Sequence, residues 1–205
     1  MAQGRFITLE GGEGTGKSTL TRGLAQALGA RANIVVTREP GGAPGADAVR
    51  ALLVSGDANR WSATEEALLF AAARLNHLTH TILPALARGD WVVCDRYYDS
   101  TRAYQVAAGG LKPETLETLN ALIAAPAPDL TLILDIAPEL GLGRSRGEHV
   151  GEDRFERKDA AFHQRVRDEF RDIAAREPNR CVLIDAALSK ERVLAAALAA
   201  IEARL

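Results

Sequence analysis

A glycine-rich loop near the N-terminus constrains this 205-residue chain more than any other feature. The segment Gly11-Gly12-Glu13-Gly14-Thr15-Gly16-Lys17-Ser18 matches the G-x-x-x-x-G-K-[ST] phosphate-binding loop at every required position. Residues 5–9 before it form an apolar run that predicts a buried strand, and residues 18–28 predict a helix with leucines along one face. A loop between such a strand and helix turns backbone N–H groups and the positive end of the helix dipole toward a polyphosphate.

The members of this loop have separate predicted tasks. The glycines let the backbone approach the phosphates closely. Lys17 would reach the β- and γ-phosphates, and the Ser18 hydroxyl would hold Mg²⁺. The sequence therefore predicts binding of a nucleoside triphosphate with Mg²⁺. The residues predicted to form that site are Gly11, Gly12, Glu13, Gly14, Thr15, Gly16, Lys17, Ser18 and Thr19.

The composition is typical of an ordinary globular protein, and its length fits one domain over residues 1–205. A formal charge of −2 argues against a general nucleic-acid binder. No uncharged apolar run approaches the roughly 20 residues of a membrane helix, and the N-terminal segment does not resemble a signal peptide. Cys94 and Cys181 lie inside apolar runs without metal or redox spacing. We therefore expect a cytoplasmic protein that has neither nucleic acid nor membrane as a partner.

Five short segments predict strands: residues 5–9, 33–37, 91–94, 130–134 and 181–184. Several are continuous apolar runs, as expected of strands that are covered on both faces of a parallel sheet. Helical patterns separate them, so strand and helix alternate along the chain. The pattern predicts an α/β fold, a doubly wound five-stranded parallel sheet flanked by helices.

A capping box, Ser62-Ala63-Thr64-Glu65, predicts the start of a helix that runs through residue 78. Phe70 and Arg74 are four residues apart and therefore lie on one face of that helix. His77 and His80 are expected at the helix surface or at an interface, because no partner cysteine or nearby acid gives them a metal-binding pattern. The stripe predicted to face the core consists of Leu68, Leu75, Leu78 and Ile82.

Charged side chains follow the second and third predicted strands, at the edge of the sheet where α/β domains bind ligands. Arg38 follows the second strand, and Asp95 and Arg96 follow the third. Both arginines would converge on the same edge as Lys17. Because the planar guanidinium suits a phosphate dianion, this predicts a second phosphate-bearing ligand opposite the triphosphate. Asp95 occupies the place where phosphate-loop proteins carry an acid near Mg²⁺.

Several stretches, in order along the chain, resemble the thymidylate kinase family. The most specific are Thr37-Arg38-Glu39-Pro40-Gly41-Gly42 and Asp95-Arg96-Tyr97 followed by Ser100-Thr101 and Ala103-Tyr104-Gln105. The resemblance extends from the first strand to the last helix. The other matching stretches are residues 7–11 with the phosphate loop, 70–74, 128–131, 134–135 and 153–156.

The resemblance implies a P-loop nucleoside monophosphate kinase-like fold and phosphoryl transfer from ATP to dTMP. It implies that Arg38 and Arg96 hold the dTMP phosphate, that Phe70 stacks on thymine and that Arg74 hydrogen-bonds the base. It also places Tyr104 near the deoxyribose and implies a homodimer. The residues implied to bind dTMP are Arg38, Phe70, Arg74, Arg96, Ser100, Thr101, Tyr104 and Gln105.

The charged segment at residues 144–157 is predicted to form a lid. The phosphate loop carries no arginine between its glycines, so the chain resembles the bacterial type, in which lid arginines approach the transferred phosphate. Arg154 is the first candidate, with Arg146 and Arg157 after it. An added arginine is worth roughly 10³–10⁵ in rate in such reactions. The residues predicted to act in catalysis are Lys17, Arg154, Arg96, Glu13 and Asp95, with Ser18 and Asp95 at the metal.

Two other interpretations remain open at this point. A phosphate-loop kinase could act on another nucleoside monophosphate or on a deoxynucleoside, although paired arginines favour an acceptor that already carries phosphate. A nucleotide-dependent switch without transfer needs segments that order around the γ-phosphate, but it does not need a second phosphate-binding pocket.

Overall fold

A five-stranded, all-parallel sheet forms the centre of the protein, in a computed structural model that describes residues 3–145 and 154–205. Its order is β2-β3-β1-β4-β5. Each strand overlaps its predicted segment and continues one or two residues further at its carboxyl end, so the predicted fold is confirmed. The strands are β1 (Arg5–Gly11), β2 (Ile34–Arg38), β3 (Trp91–Asp95), β4 (Leu130–Asp135) and β5 (Cys181–Asp185).

Helices cover both faces of this sheet. The α-helices in the described part of the chain are α1 (Lys17–Leu28), α2 (Pro44–Val54), α3 (Ala63–His77), α4 (Leu83–Ala87), α5 (Tyr98–Thr101), α6 (Pro113–Leu122), α7 (Pro138–Ser145), α8 (Ala160–Arg176) and α9 (Lys190–Arg204). Ile7 and Leu9 of β1 pack in a core cluster with α1 and α9, whereas Phe6 packs on the opposite face. This alternation follows from the two-residue period of a strand. No helix in the described part of the chain is long and apolar enough to cross a bilayer.

Helix α3 begins as the capping box predicts, because the Ser62 Oγ accepts a hydrogen bond from the Glu65 N–H (3.3 Å) and Glu65 Oε2 accepts one from the Ser62 N–H (2.7 Å). A π-helical turn, Leu78–Ile82, then joins α3 to α4. Pro84 has no N–H for a regular helical bond, which gives a physical reason for the wider turn.

The predicted core stripe of α3 is wrong at two positions. Leu78 and Ile82 are buried, but Leu68 and Leu75 are 53% and 47% exposed. The side that packs inward carries alanines instead, and Ala73 joins a cluster with residues of α2. Small side chains let the two helices approach closely, so the seven-residue spacing of the leucines marks the outer face rather than the core.

The strand register brings the chemistry-bearing residues to one edge. Arg38 at the end of β2 lies opposite Asp95 at the end of β3, and Asp95 also lies opposite Leu9 of β1. The phosphate loop leaves β1 directly beyond this point. On the neighbouring side, the buried Asp99 carboxylate accepts two hydrogen bonds from Arg180 (2.7 and 3.1 Å) and so fixes the short helix α5 at the sheet.

Candidate active site

The phosphate loop connects β1 to α1 in a compact conformation. Gly14 has a φ of +63°, and a Cβ there would lie 1.9 Å from the Gly141 carbonyl oxygen, so no larger residue fits. The Lys17 Nζ donates hydrogen bonds to the carbonyl oxygens of Gly11 (3.1 Å) and Gly12 (2.8 Å). A broad cavity runs along the loop and is lined by Glu13, Gly14, Thr15, Gly16, Lys17, Ser18, Thr19, Arg22, Arg38, Glu39, Arg50, Asp95, Arg96, Ser145 and Glu156.

The Lys17 ammonium is buried and lies near a second cation, Arg96. Burial, followed by the charge of Arg96, lowers the pKa of Lys17 to about 8, although Asp95 and Glu13 act in the opposite direction. A bound polyphosphate would favour the charged form, because opposite charge raises the pKa of an amine. The Lys17 Nζ donates to backbone carbonyls and to the Thr15 hydroxyl, and no carboxylate among the described residues forms an ion pair with it.

Ser18 and Asp95 meet at the predicted metal position. The Ser18 hydroxyl donates a hydrogen bond to Asp95 Oδ2 at 3.1 Å. These oxygen donors fit Mg²⁺, which takes one or two protein ligands and completes its shell with phosphate oxygens and water. Within residues 3–145 and 154–205, no group of three or more His, Cys, Asp or Glu side chains forms a metal site on its own.

Arg96 lies between the phosphate loop and α5. One terminal nitrogen donates to the Gly11 carbonyl (2.9 Å) and the Ser100 hydroxyl (3.1 Å), and the other donates to Glu13 Oε1 (2.9 Å). Its φ of +69° is unusual for a residue with a side chain and stores local strain at this position. Arg38 is exposed in the cavity along the loop, and no described residue pairs with it.

Glu13 is an anion inside a phosphate site. Burial by itself raises its pKa, but Arg96, Lys17 and the Tyr104 hydroxyl outweigh that effect and lower the pKa to about 2. The Tyr104 hydroxyl donates to Glu13 Oε1 at 2.7 Å, so one carboxylate oxygen orients both Arg96 and Tyr104. Glu13 is therefore ionised at neutral pH and fixes the cation beside it.

A second cavity opens on the side of α3 and α5. Its lining includes every residue predicted to bind the acceptor except Arg38. It shares Glu13 and Arg96 with the first cavity, together with Glu39, Arg50 and Glu156. Its aromatic walls and few polar groups are typical of a small-molecule site. The lining residues are Glu13, Glu39, Pro40, Arg50, Val54, Phe70, Arg74, Arg96, Tyr97, Ser100, Thr101, Tyr104, Gln105, Phe155 and Glu156.

Arg74 is fixed in this cavity by partners that the sequence did not reveal. Its Nε donates to Glu39 Oε2 (2.8 Å), and a terminal nitrogen donates to the Thr101 hydroxyl (3.1 Å). The surface or interface position expected for His77 is wrong, although His80 is exposed as predicted. The His77 ring is fully buried and lies 3.1 Å from Glu39 Oε1 and 2.6 Å from the Thr37 hydroxyl. The backbone at Gly42 packs directly against the His77 ring, because a Cβ at this position would lie 2.5 Å from the His77 Nε2.

Glu10 lies behind Arg96, at the end of β1. Burial and the neighbouring Asp99 raise the pKa of Glu10 to about 8, against the hydrogen bonds from Ser100 and from the Tyr97 N–H. No role was predicted for this residue, because its burial depends on α5 packing over the strand end. Glu10 holds the first turn of α5, which carries Ser100.

Arg154 does not face the phosphate loop in this structure. Its guanidinium is fully buried, its Nε donates to the Leu53 carbonyl (2.8 Å), and a terminal nitrogen forms an ion pair with Glu66 Oε1 (2.7 Å). The predicted role at the transferred phosphate therefore has no support in this geometry. Arg157 donates to the Gly56 carbonyl (2.9 Å), and Arg146 lies outside the described residues.

Three residues on the acceptor side were not predicted from the sequence: Glu39, Glu66 and Phe155. Glu39 and Phe155 stood inside stretches that carried the family resemblance, which was an available signal. Phe155 lies 6.3 Å from Phe70 and 5.9 Å from Tyr104 between ring centroids, and so completes the aromatic wall. Glu66 had no sequence signal, because its partners are 39 and 88 residues away along the chain.

A third cavity adjoins the phosphate loop on the side of β5 and α9. Arg144 borders it and donates a hydrogen bond to the Ala186 carbonyl at 2.9 Å. The segment after β5 had no predicted part in the site. It lines this cavity through Ala186, Leu188, Ser189, Lys190 and Glu191.

Comparison with known proteins agrees with this arrangement. The family model "Thymidylate kinase" matches residues 9–197. A thymidylate kinase of Rhizorhabdus wittichii is 53% identical over 195 residues, which are 94% of each chain. One of Caulobacter vibrioides is 51% identical and covers 96% of this chain and 95% of its own. A crystal structure of thymidylate kinase from Ehrlichia chaffeensis superposes with a TM-score of 0.80 at 33% identity, over 97% of this chain and 99% of that one. By its sequence, its fold and these relatives, the chain belongs to the thymidylate kinase family.

Proposed function

We propose that this protein transfers the γ-phosphoryl group of ATP to dTMP, giving ADP and dTDP, in the supply of dTTP. The observation that carries the proposal is the meeting of two cavities at Arg96 and Glu13. One cavity follows the phosphate loop, and the other has the aromatic walls and arginines of a nucleotide-monophosphate site. A nucleotide switch without transfer has no use for the second cavity.

On the donor side, the loop N–H groups and Lys17 bind the polyphosphate of ATP. Ser18 and Asp95 would hold Mg²⁺, which neutralises charge on the phosphates when it is bound. We assign the third cavity, beside Arg144, to the donor base, because it continues from the loop on the side away from the acceptor. Phosphoryl transfer requires positioning and charge stabilisation rather than a covalent intermediate with the protein.

On the acceptor side, Arg38 and Arg96 hold the dTMP phosphate. Arg38 is suited to this because no described residue occupies its guanidinium. Phe70 stacks on thymine, and Arg74 donates to the base. Tyr104 stands beside the deoxyribose, held by Glu13. Ser100, Thr101 and Gln105 complete the nucleoside pocket.

A coupled assay of ADP release with dTMP, dUMP, dCMP, dAMP and dGMP tests this assignment. We expect the highest kcat/KM with dTMP, and dUMP next, because thymine and uracil present the same hydrogen-bonding edge. Calorimetry should show that dTMP binds without ATP. A clearly higher kcat/KM with another monophosphate, or ADP release that does not depend on any acceptor, would contradict the proposal.

We also propose a cytoplasmic homodimer. Leu68 and Leu75 support the dimer, because they are exposed, seven residues apart and therefore on one face of α3. Free, buried Cys94 and Cys181 agree with a reducing compartment.

Leu75→Glu is expected to weaken the dimer by about 10- to 100-fold, because burial of one leucine contributes about 1.5–3 kcal/mol. Analytical ultracentrifugation over a concentration series measures this change. Leu122→Glu is the matched control, since Leu122 is 79% exposed on α6. Sedimentation of the wild-type protein as a monomer at micromolar concentration would refute the homodimer.

A further inference from the structure

One buried carboxylate connects two residues of the acceptor side. Glu66 is 6% exposed, and its two oxygens have different partners. Oε1 forms the ion pair with Arg154 (2.7 Å), and Oε2 accepts a hydrogen bond from the Gln105 Nε2 (2.7 Å). Glu66 does not line the acceptor cavity itself, whereas Gln105 does. It therefore acts on any ligand through Gln105.

This contact fixes the orientation of the Gln105 amide. A carboxylate that is paired with arginine only accepts hydrogen bonds at both of its oxygens, so the NH₂ group of Gln105 must face Oε2 of Glu66. The amide oxygen then points the other way. It accepts no hydrogen bond from any residue in the described part of the chain, although Gln105 is 1% exposed and lines the cavity. The pocket thus presents a fixed acceptor from Gln105 beside the fixed donors of Arg74.

We propose that Glu66 determines which pyrimidine the enzyme accepts, by holding the Gln105 amide with its oxygen toward the base. The inference rests on the proposed function, since it assumes that the acceptor base occupies this cavity. A donor next to an acceptor matches a ring carbonyl next to a ring N–H, which is the edge of thymine and uracil. Cytosine presents the opposite pattern, an amino group next to an unprotonated ring nitrogen, and leaves both protein groups without partners.

Arg154 has a positioning role in this arrangement. Its Nε is tied to the Leu53 carbonyl, and its guanidinium lies 4.4 Å from the centre of the Phe155 ring. Arg154 thereby keeps one oxygen of Glu66 occupied and leaves only the other for Gln105. The same side chain connects the α2–α3 region to the aromatic wall that Phe155 forms.

Glu66→Gln tests the proposal, because it should reverse the amide of Gln105. Arg154 can only donate, so the single side-chain oxygen of the new glutamine turns toward it. Its NH₂ group then faces Gln105, which must rotate to accept from it and present its own NH₂ to the base. The kcat/KM for dTMP should fall about 10- to 100-fold, as expected for a buried polar mismatch, while that for dCMP does not fall and KM for ATP is unchanged.

Two further variants make the test specific. Glu65→Gln is the matched control. Glu65 is the exposed neighbour of Glu66 in the capping box, where glutamine also caps, so the kinetics with dTMP and dCMP should stay as in the wild type.

The double variant Glu66→Gln with Arg154→Met removes the donor that orients the new amide. Its oxygen can then turn back to Gln105, so the preference for dTMP over dCMP should recover in part relative to Glu66→Gln alone.

The ratio of kcat/KM for dTMP to that for dCMP is the measured quantity. A ratio that Glu66→Gln leaves at the wild-type value overturns the proposal, because a merely structural loss lowers both substrates together. If Glu66→Gln does not fold, Gln105→Leu replaces it, and an unchanged ratio in that variant also overturns the proposal. Absence of dTMP turnover in the wild-type protein would instead refute the proposed function.

Discussion

Replacing Arg96 by methionine is expected to lower kcat/KM for dTMP by about 10³-fold, the lower end of the range for an arginine at a transferred phosphoryl group. Arg96 borders both cavities, as Arg50 does, and its backbone is held at a φ of +69° between the phosphate loop and α5. Its loss also leaves Glu13 without its main counter-charge, so the pKa of Glu13 should rise from about 2 and the remaining anion would repel the phosphates.

Steady-state kinetics with each substrate varied in turn measure this effect. Arg96→Lys should recover only part of the activity, because an ammonium keeps the charge but not the fork that reaches Gly11, Ser100 and Glu13 together. Arg88→Met is the matched control, since the Arg88 side chain is 60% exposed and pairs with Asp90. An Arg96→Met enzyme with normal KM for dTMP and normal kcat would remove Arg96 from the mechanism.

Lys17→Met should lower kcat by about 10²–10³-fold, as expected when one preorganised donor to developing charge is removed. A pH profile gives a second readout. Lys17 is charged below its pKa of about 8 and neutral above it, so kcat/KM for ATP in the wild type should fall as the pH rises through about 8. Bound phosphate raises that pKa, and the corresponding fall in kcat should therefore appear at higher pH.

The control for this variant is Lys112→Met, which changes an exposed lysine at the start of α6. The residual activity of Lys17→Met should lack the fall near pH 8. Retention of that fall in Lys17→Met would assign it to another group and contradict the role given to Lys17.

Local sequence patterns predicted the elements of this fold well. Several strands are continuous apolar runs, and the capping box at Ser62 marks a helix start, so both features can be recognised without knowledge of distant partners. For α1 the leucine pattern also identified the buried face, but for α3 it was insufficient. Leu68 and Leu75 are the larger apolar residues of α3, yet its alanines face the protein, because close packing against α2 requires small side chains.

The candidate site also has parts that could be predicted from local sequence and parts that could not. The phosphate loop and the two arginines after β2 and β3 could be predicted, because topology places the carboxyl ends of parallel strands at one edge. The partners of Arg154 could not be predicted, because Glu66 and the Leu53 carbonyl are remote from it along the chain. A charged segment with several arginines is compatible with a surface, a phosphate site or a buried ion pair, and its composition does not distinguish among them.

The amino-acid sequence by itself determined that this chain forms a phosphate-binding α/β fold with cationic groups at one edge of the sheet, because those properties depend on short-range spacing and periodicity. Only the tertiary structure decided that Glu39 and His77 support Arg74 and that Glu66 joins Arg154 to Gln105. The physical reason is that buried polar groups must find partners wherever packing brings a donor and an acceptor together, at any separation along the chain.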